Sequence, residues 1–453
     1  MSAALGSLST ALTELVPGTR HVRVAVTGLA RAGKTALLAS VAANLLAFGA
    51  GLPVLPLLAQ HLARRRMKVT MAPAGAADLP RFDHAAHIAA LAADPPRWPE
   101  RTQSVSLLAF DLTIARQVVL GDLLPPKRIR LELLDYPGEW LLDLPLLAED
   151  FRTWSEATLA RLERGPAFAR DFLAFARGLP ADAPADEALA ASGHRLYRAA
   201  LLRLRDETRL SLLQPGRFLM PPPGPEPPWM GFFPLPGSSP LCRLLAERYD
   251  AYRDAVRRDL VQGRFAAVDR VLVLADVLAA LAAGPAAFAD IAAALSAASE
   301  ALRYDTSLLR RIPLLDRLLP PRIGRVVFAA TKADHVAARQ RRNLAALMAA
   351  LVRLPPEAPQ PASLAVAAVR ATEDFVWALD GRNVSAVRGR VLGESRMTRS
   401  YPGEVPDHSP DAAFWAHPFL DVPMFEPMRA LPGGAIPELG LDALLVALLG
   451  DVL

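Results

Sequence analysis

The stretch that most constrains this chain is Gly28-Leu29-Ala30-Arg31-Ala32-Gly33-Lys34-Thr35: a glycine, four free positions, then Gly-Lys-Thr. Residues 22–27 before it are β-branched and of strand type, and residues 36–46 after it are Ala/Leu-rich and of helix type. Strand, glycine loop and helix form the context in which this pattern cradles a phosphate. Backbone N–H groups from Gly28 to Ala36 would curl round the anion, and the helix N-terminus would add its partial positive charge. In that geometry Lys34 reaches the β- and γ-phosphates and the Thr35 hydroxyl ligates Mg²⁺. The competing reading, a glycine turn that binds nothing, leaves the complete pattern in this context unexplained.

The 453 residues allow two or three domains, or one domain with large insertions. Two long apolar runs, 36–58 and 271–298, raise the question of a membrane span. Gly49, Gly51, Pro53 and Pro56 break the first, and Asp276, Gly284, Pro285 and Asp290 break the second, so no transmembrane helix is expected. The N-terminus lacks the charged region of a signal peptide. A single cysteine, Cys242, excludes an internal disulfide framework and fits a reducing compartment, which points to the cytoplasm. Net charge is 51 minus 46, or +5, which does not call for nucleic acid. Lysine occurs only at Lys34, Lys68, Lys127 and Lys332, and two of these four fall in nucleotide motifs, where a compact ammonium rather than a planar fork is needed.

Two further motifs follow in order. Residues 105–110 and 129–134 read as strands, and the second ends in Asp135-Tyr136-Pro137-Gly138-Glu139. An Asp at such a strand tip is where an α/β nucleotide fold places its second Mg²⁺ group, and Gly138 offers a γ-phosphate an N–H that can move when that phosphate leaves. Residues 325–330 form a buried strand type ending in Thr331-Lys332-Ala333-Asp334, a variant of the guanine-reading Asn-Lys-x-Asp. The Asp334 carboxylate would accept from guanine N1–H and N2–H₂, donors that adenine does not present, while the Lys332 stem lies along the base and braces the phosphate loop. A last strand, 364–369, leads to Arg370-Ala371-Thr372, placed to offer a backbone N–H to guanine O6.

The rest of the chain organises around these motifs. Residues 3–16 read as a short helix. The cluster Arg64-Arg65-Arg66-Met67-Lys68 reads as a solvated turn, with contact to an anionic membrane as the alternative. The pair His84 and His87 reads as a helix face rather than as metal ligands. From about 141 to 262 the pattern is helical, apart from 215–240, which holds ten prolines and reads as a stiff packed loop. Residues 381–397 are hairpin-like, 401–440 irregular, and 441–449 a closing helix.

The stretches at 26–35, 135–145, 214–218, 329–336 and 401–406 resemble the YcjX-like family of bacterial P-loop proteins, over essentially the whole chain. The resemblance implies a Ras-like GTPase with a helical insertion, associated with stress responses, cytoplasmic and held near the inner membrane by a membrane-protein partner. It also implies Thr102 as the mobile-loop threonine, since a Thr follows a Pro-Pro-x-Trp-Pro segment, here 95–99. Ras-type enzymes carry a water-orienting glutamine after Asp-x-x-Gly; this chain has Glu139, which either orients the attacking water or turns away to pair with an arginine. The expected fold is therefore α/β: a mostly parallel P-loop NTPase sheet with a large helical insertion and a C-terminal extension. Its expected parts are an N-terminal helix (1–20), a first core part (21–140), a helical and Pro-rich insertion (141–264), a second core part (265–375) and the extension (376–453). The expected site combines Gly28 to Ala36, Gly138, Lys332, Asp334, Ala371 and Thr372 for GTP or GDP. Thr35, Thr102 and Asp135 would hold Mg²⁺, and Lys34, Thr102 and Glu139 would act in hydrolysis. A scaffold that binds nucleotide without hydrolysing it is the alternative.

Overall fold

The computed structural model describes residues 18–63, 65–73, 79–100, 105–116, 125–208, 210–221, 224–261, 268–304, 324–353, 363–379, 381–417 and 419–453. Most of the expected N-terminal helix and Thr102 lie outside these residues. Thr19 and Arg20 belong instead to the first strand, β1 (Thr19–Gly28), which starts earlier than its hydrophobic stretch suggests.

β1 feeds through the glycine loop into α1 (Lys34–Gly49), whose Ala/Leu composition leaves it buried on most of its circumference. A short α2 (Pro56–His61) leads to β2 (Met67–Met71), and α3 (His84–Ala92) leads to β3 (Ser106–Ile114) and β4 (Lys127–Asp135). β5 (Arg270–Ala275), β6 (Arg325–Ala330) and β7 (Ser363–Ala365) complete a seven-stranded sheet of order β2-β3-β4-β1-β5-β6-β7. β1 runs parallel to β4 and β5, β6 is parallel to β5 and β7, and β3 is antiparallel to β2 and β4. The central strands read as unbroken apolar runs because both faces are covered. The basic 65–68 segment does not end as a turn: Met67 and Lys68 enter β2, the antiparallel edge strand.

One apolar cluster joins α1 and the sheet face carrying Val24, Val26, Leu131, Leu133, Leu108 and Phe110. The opposite face packs Val271, Val273 and Phe328 against residues of α10 (Val277–Ala282), α11 (Pro285–Tyr304) and α12 (Arg341–Leu351). A third cluster lies between Leu146 and Val256. It is built by α5 (Phe151–Arg164), α6 (Arg170–Gly178), α7 (Glu187–Glu207) and α9 (Pro240–Val261); α4 (Gly138–Leu141) and α8 (Gly216–Leu219) are short turns beside it. Trp154 stacks on Tyr249 at 5.1 Å and meets Phe232 edge-on at 5.5 Å. The Pro-rich stretch runs through this block, with Phe218, Phe232 and Phe233 fully buried among the helices. Proline removes backbone donors, so a strap without ladder bonds can cross a core at low polar cost while its aromatics fill the space between helices.

The C-terminal residues form an antiparallel three-stranded sheet, β8 (Glu373–Leu379), β9 (Arg382–Arg390) and β10 (Met397–Ser400), before α13 (Ala412–Trp415) and α14 (Leu441–Leu449). α14 is no appendage: Leu441, Leu444, Leu445 and Leu448 join the cluster around α1. The buried Asn44 of α1 clamps the Ile436 backbone with bonds of 3.1 and 3.3 Å. Asp442 accepts from the Leu57 and Leu58 N–H groups at 2.6 and 2.9 Å, satisfying the otherwise orphaned N-terminus of α2.

Candidate functional site: a phosphate loop at the strand tips

β1, β4 and β6 all end on one edge of the sheet, so register alone brings the three motifs together. Val26 lies beside Asp135 in the β1–β4 pair, and Ala275 beside Ala330 in the β5–β6 pair. The Tyr136 N–H donates to the Val26 carbonyl at 2.9 Å, the Leu29 N–H to the Leu274 carbonyl at 3.0 Å, and the Thr331 N–H to the Ala275 carbonyl at 2.9 Å. Each motif therefore leaves its strand while still pinned to the neighbouring one.

Within the loop, Arg31 and Gly33 take positive φ angles of 63° and 81° before α1 begins at Lys34. Gly28, Leu29 and Ala32 are buried; Ala30, Lys34, Thr35 and Ala36 are half-buried at the mouth. Lys34 Nζ reaches back to the Gly28 carbonyl at 3.4 Å. That carbonyl also receives Gly138. A Cβ on Gly138 would stand 1.7 Å from the Gly28 oxygen, so only glycine permits the approach. The Asp-x-x-Gly turn thus rests directly on the root of the phosphate loop. Arg31 lies exposed at the rim of the loop. Its guanidinium donates to the Asp206 carbonyl in α7 at 2.9 Å.

Asp135 is 5% exposed, and its place in β4 puts it on the face covered by α1, as are Leu131 and Leu133. Its register partner in β3 is Ser106, whose buried hydroxyl makes no hydrogen bond within the protein. Sequence reading missed Ser106, because a serine at a strand start carries no mark. Thr35, Asp135 and the Ser106 hydroxyl, which makes no hydrogen bond within the protein, would offer Mg²⁺ oxygen donors of the kind it takes. Among the described residues no three His, Cys, Asp or Glu side chains gather as a metal-only site. His84 and His87 sit on α3, capped by Asp83, with His87 packed on Phe82 at 4.9 Å.

At the base-recognition end, Asp334 is 1% exposed. Its Oδ2 accepts from the Ala371 N–H at 2.7 Å, and the Thr372 hydroxyl donates to its carbonyl. Within the 370–372 loop expected to offer an N–H to guanine O6, the Ala371 N–H is therefore bonded to Asp334 and the Arg370 N–H donates to the Pro437 carbonyl at 2.8 Å. Lys332 also departs from expectation. It adopts a left-handed conformation, φ 58°, and its ammonium pairs with Asp276 at the tip of β5 instead of bracing the phosphate loop. Asp276 in turn accepts from the Ala279 N–H at 3.1 Å, capping α10. Burial beside this group lowers the His335 pKa, so its ring favours the neutral form.

Glu139 makes no ion pair among the described residues, so the arginine-paired alternative is not what the fold adopts. Its Oε2 is buried without a partner. Beyond it lies Asp143, fully buried, whose Oδ1 accepts from Gly216 N–H at 2.7 Å and whose Oδ2 accepts from the Tyr252 hydroxyl at 2.6 Å. Burial pushes the Asp143 carboxyl up to about 6, against the pull of Arg217 and these donors. Among the described residues no helix is long and apolar enough to cross a membrane.

Comparison with known proteins agrees with this geometry. A "Ras-like GTPase YcjX" of Escherichia coli is 35% identical over 458 aligned residues, covering 96% of each chain. A protein of the same description from Shewanella oneidensis is 31% identical, covering 96% of this chain and 95% of its own. The family described as "YcjX-like family, DUF463" matches residues 22–453. The mixed α/β fold, its mostly parallel sheet and its phosphate loop at the strand tips are those of a Ras-like P-loop protein, and the chain belongs to the YcjX-like family.

Proposed function

We propose that this protein binds GTP and GDP with Mg²⁺ and hydrolyses GTP slowly, as a nucleotide-dependent switch. The observation that carries the reading is the contact of Gly138 with the Gly28 carbonyl. In this reading Gly138, resting against the root of the glycine loop, would sense the γ-phosphate that the loop would hold. The names of the curated relatives support guanine nucleotide as the ligand. Gly28 to Ala36 would wrap the phosphates, with Lys34 as the cation on the β- and γ-phosphates. Asp334 would accept from the guanine N1–H and N2–H₂, with Lys332, Ala371 and Thr372 shaping that pocket. Thr35, Asp135 and Thr102 would hold Mg²⁺, which when bound neutralises charge on the β- and γ-phosphate oxygens. Glu139 would orient the attacking water. Unassisted turnover is expected on the order of 10⁻⁴–10⁻² s⁻¹, as for switch GTPases without an activator. Phosphate release from GTP, compared with a Lys34→Ala control, tests the reading; equal release from both would refute it.

A second reading, a nucleotide-binding scaffold without useful hydrolysis, draws on Glu139, whose Oε2 is turned into the protein. It predicts tight GDP and GTP binding with no phosphate release. A role in a bacterial stress response, a cytoplasmic location and peripheral attachment through an inner-membrane protein extend the first reading and rest on the family resemblance.

A further inference from the structure

The turn that rests on the phosphate loop is gripped on its other side by the segment 214–220 of the helical block. Gln214 Nε2 donates to the Leu142 carbonyl at 2.6 Å, and Trp140 Nε1 donates to the Met220 carbonyl at 2.7 Å. Gly216 lies so near the turn that a Cβ there would stand 1.7 Å from the Glu139 carbonyl oxygen. Arg217, 2% exposed, stacks its guanidinium 5.0 Å over the Trp140 ring. It is shared between two carboxylates, its Nη1 at 2.8 Å from Asp259 of α9 and its Nε at 3.7 Å from Asp143 of the turn, too far for a hydrogen bond. The guanidinium thus stands within reach of both acids, with a close contact to Asp259 and a looser one to Asp143. Gly138 cannot shift toward or away from a γ-phosphate without carrying Glu139 and Trp140 past Gly216 and Arg217, because both contacts leave no slack.

We propose that residues 214–220 transmit the nucleotide state from the Asp135–Asp143 turn to α9, with Arg217 as the positioning residue that exchanges its weight between Asp143 and Asp259. This inference rests on the GTP-switch reading and names how that site reaches the helical block. GTP turnover then depends on Arg217 through the turn, without Arg217 touching nucleotide.

Amide hydrogen exchange of the full chain, with GDP and with a non-hydrolysable GTP analogue, tests it. The expected result is a nucleotide-dependent difference at 214–220 and along α9; saturating binding without that difference overturns the inference. Failure to bind either nucleotide would instead sink the GTP reading, and titration separates the two. Arg217→Met should lower kcat about tenfold with KM and GDP affinity little changed, and abolish the difference at α9. Because Arg217→Met leaves the buried Asp143 carboxyl without its cation, the Asp143→Asn/Arg217→Met pair, which removes both groups, is measured alongside. Arg217→Lys, which keeps the charge but not the fork, should recover only part of the effect. A folded double variant with wild-type kcat and a wild-type exchange difference would overturn the assignment.

Discussion

Replacing Asp334 by asparagine isolates the proposed base recognition. In the wild type Oδ2 already holds the Ala371 N–H at 2.7 Å, so the carboxylate is fixed in orientation, and it is 1% exposed before any base arrives. Two hydrogen bonds from guanine N1–H and N2–H₂ to a charged acceptor are worth about 1.5–3 kcal/mol each, so their loss amounts to about 3–6 kcal/mol. That corresponds to about a 10²–10⁴-fold weaker GDP affinity. The amide oxygen of the Asn variant keeps the Ala371 bond, so the fold should persist, and its NH₂ group now points a donor where the acceptor was. Xanthine carries an oxygen in place of the guanine 2-amino group, so xanthosine diphosphate should bind the variant better than GDP does. Competition with a fluorescent nucleotide, using GDP, xanthosine diphosphate and ADP, reads all three affinities. Unchanged GDP affinity in Asp334→Asn, or ADP competing as well as GDP with the wild type, would refute the reasoning.

Gly138→Ala forces a Cβ to 1.7 Å from the Gly28 carbonyl oxygen, a backbone atom that cannot swing aside; a loss of about 1–3 kcal/mol in thermal or denaturant unfolding is expected, together with loss of GTP turnover. Ser106→Ala removes a buried hydroxyl without a protein partner, so stability should hold or rise while the Mg²⁺ concentration needed for half-maximal GTP affinity increases. Asp442→Ala strips the acceptor from two α2 N–H groups and should cost about 1–3 kcal/mol in the same unfolding assay. Asp143 supplies a pH test. Its folded pKa is raised, from 3.8 to about 6, so its contribution to stability is complete below about pH 4 and is lost as pH rises through about 6. Burial lowers the His194 and His335 pKa values, and they act oppositely, losing their contribution as pH falls. The difference between wild type and Asp143→Asn therefore carries the signal: the variant should gain on the wild type, by about 3 kcal/mol at most, as pH rises from 4 to 8.

The three nucleotide motifs were legible because each is a contiguous run whose meaning lies in local geometry. A glycine at a set offset allows a left-handed turn, and an Asp at the end of an apolar strand lands at the sheet edge whatever follows. The same logic located β1, α1, β4, β6 and the helical block. It gave less at Lys332, where the motif named the residue but not its partner Asp276, a neighbour only because β5 and β6 pair in register. That the Ala371 N–H meets the Asp334 carboxylate depends on the path of the loop after β7, which the motif does not specify. The Pro-rich stretch showed its stiffness in composition, while the burial of Phe232 and Phe233 was decided by the helices around it.

By itself, then, the sequence determined a phosphate loop between a strand and a helix, followed in order by the Asp-x-x-Gly and Thr-Lys-x-Asp turns on an α/β sheet. Tertiary structure alone decided that Gly138 rests on Gly28, that Ser106 stands beside Asp135, that α14 closes the core around α1, and that Arg217 is shared between Asp143 and Asp259. These partners are separated by tens to hundreds of positions along the chain. A lone arginine, serine or glycine carries no mark of a distant neighbour until burial forces each polar group and each close contact to find its complement.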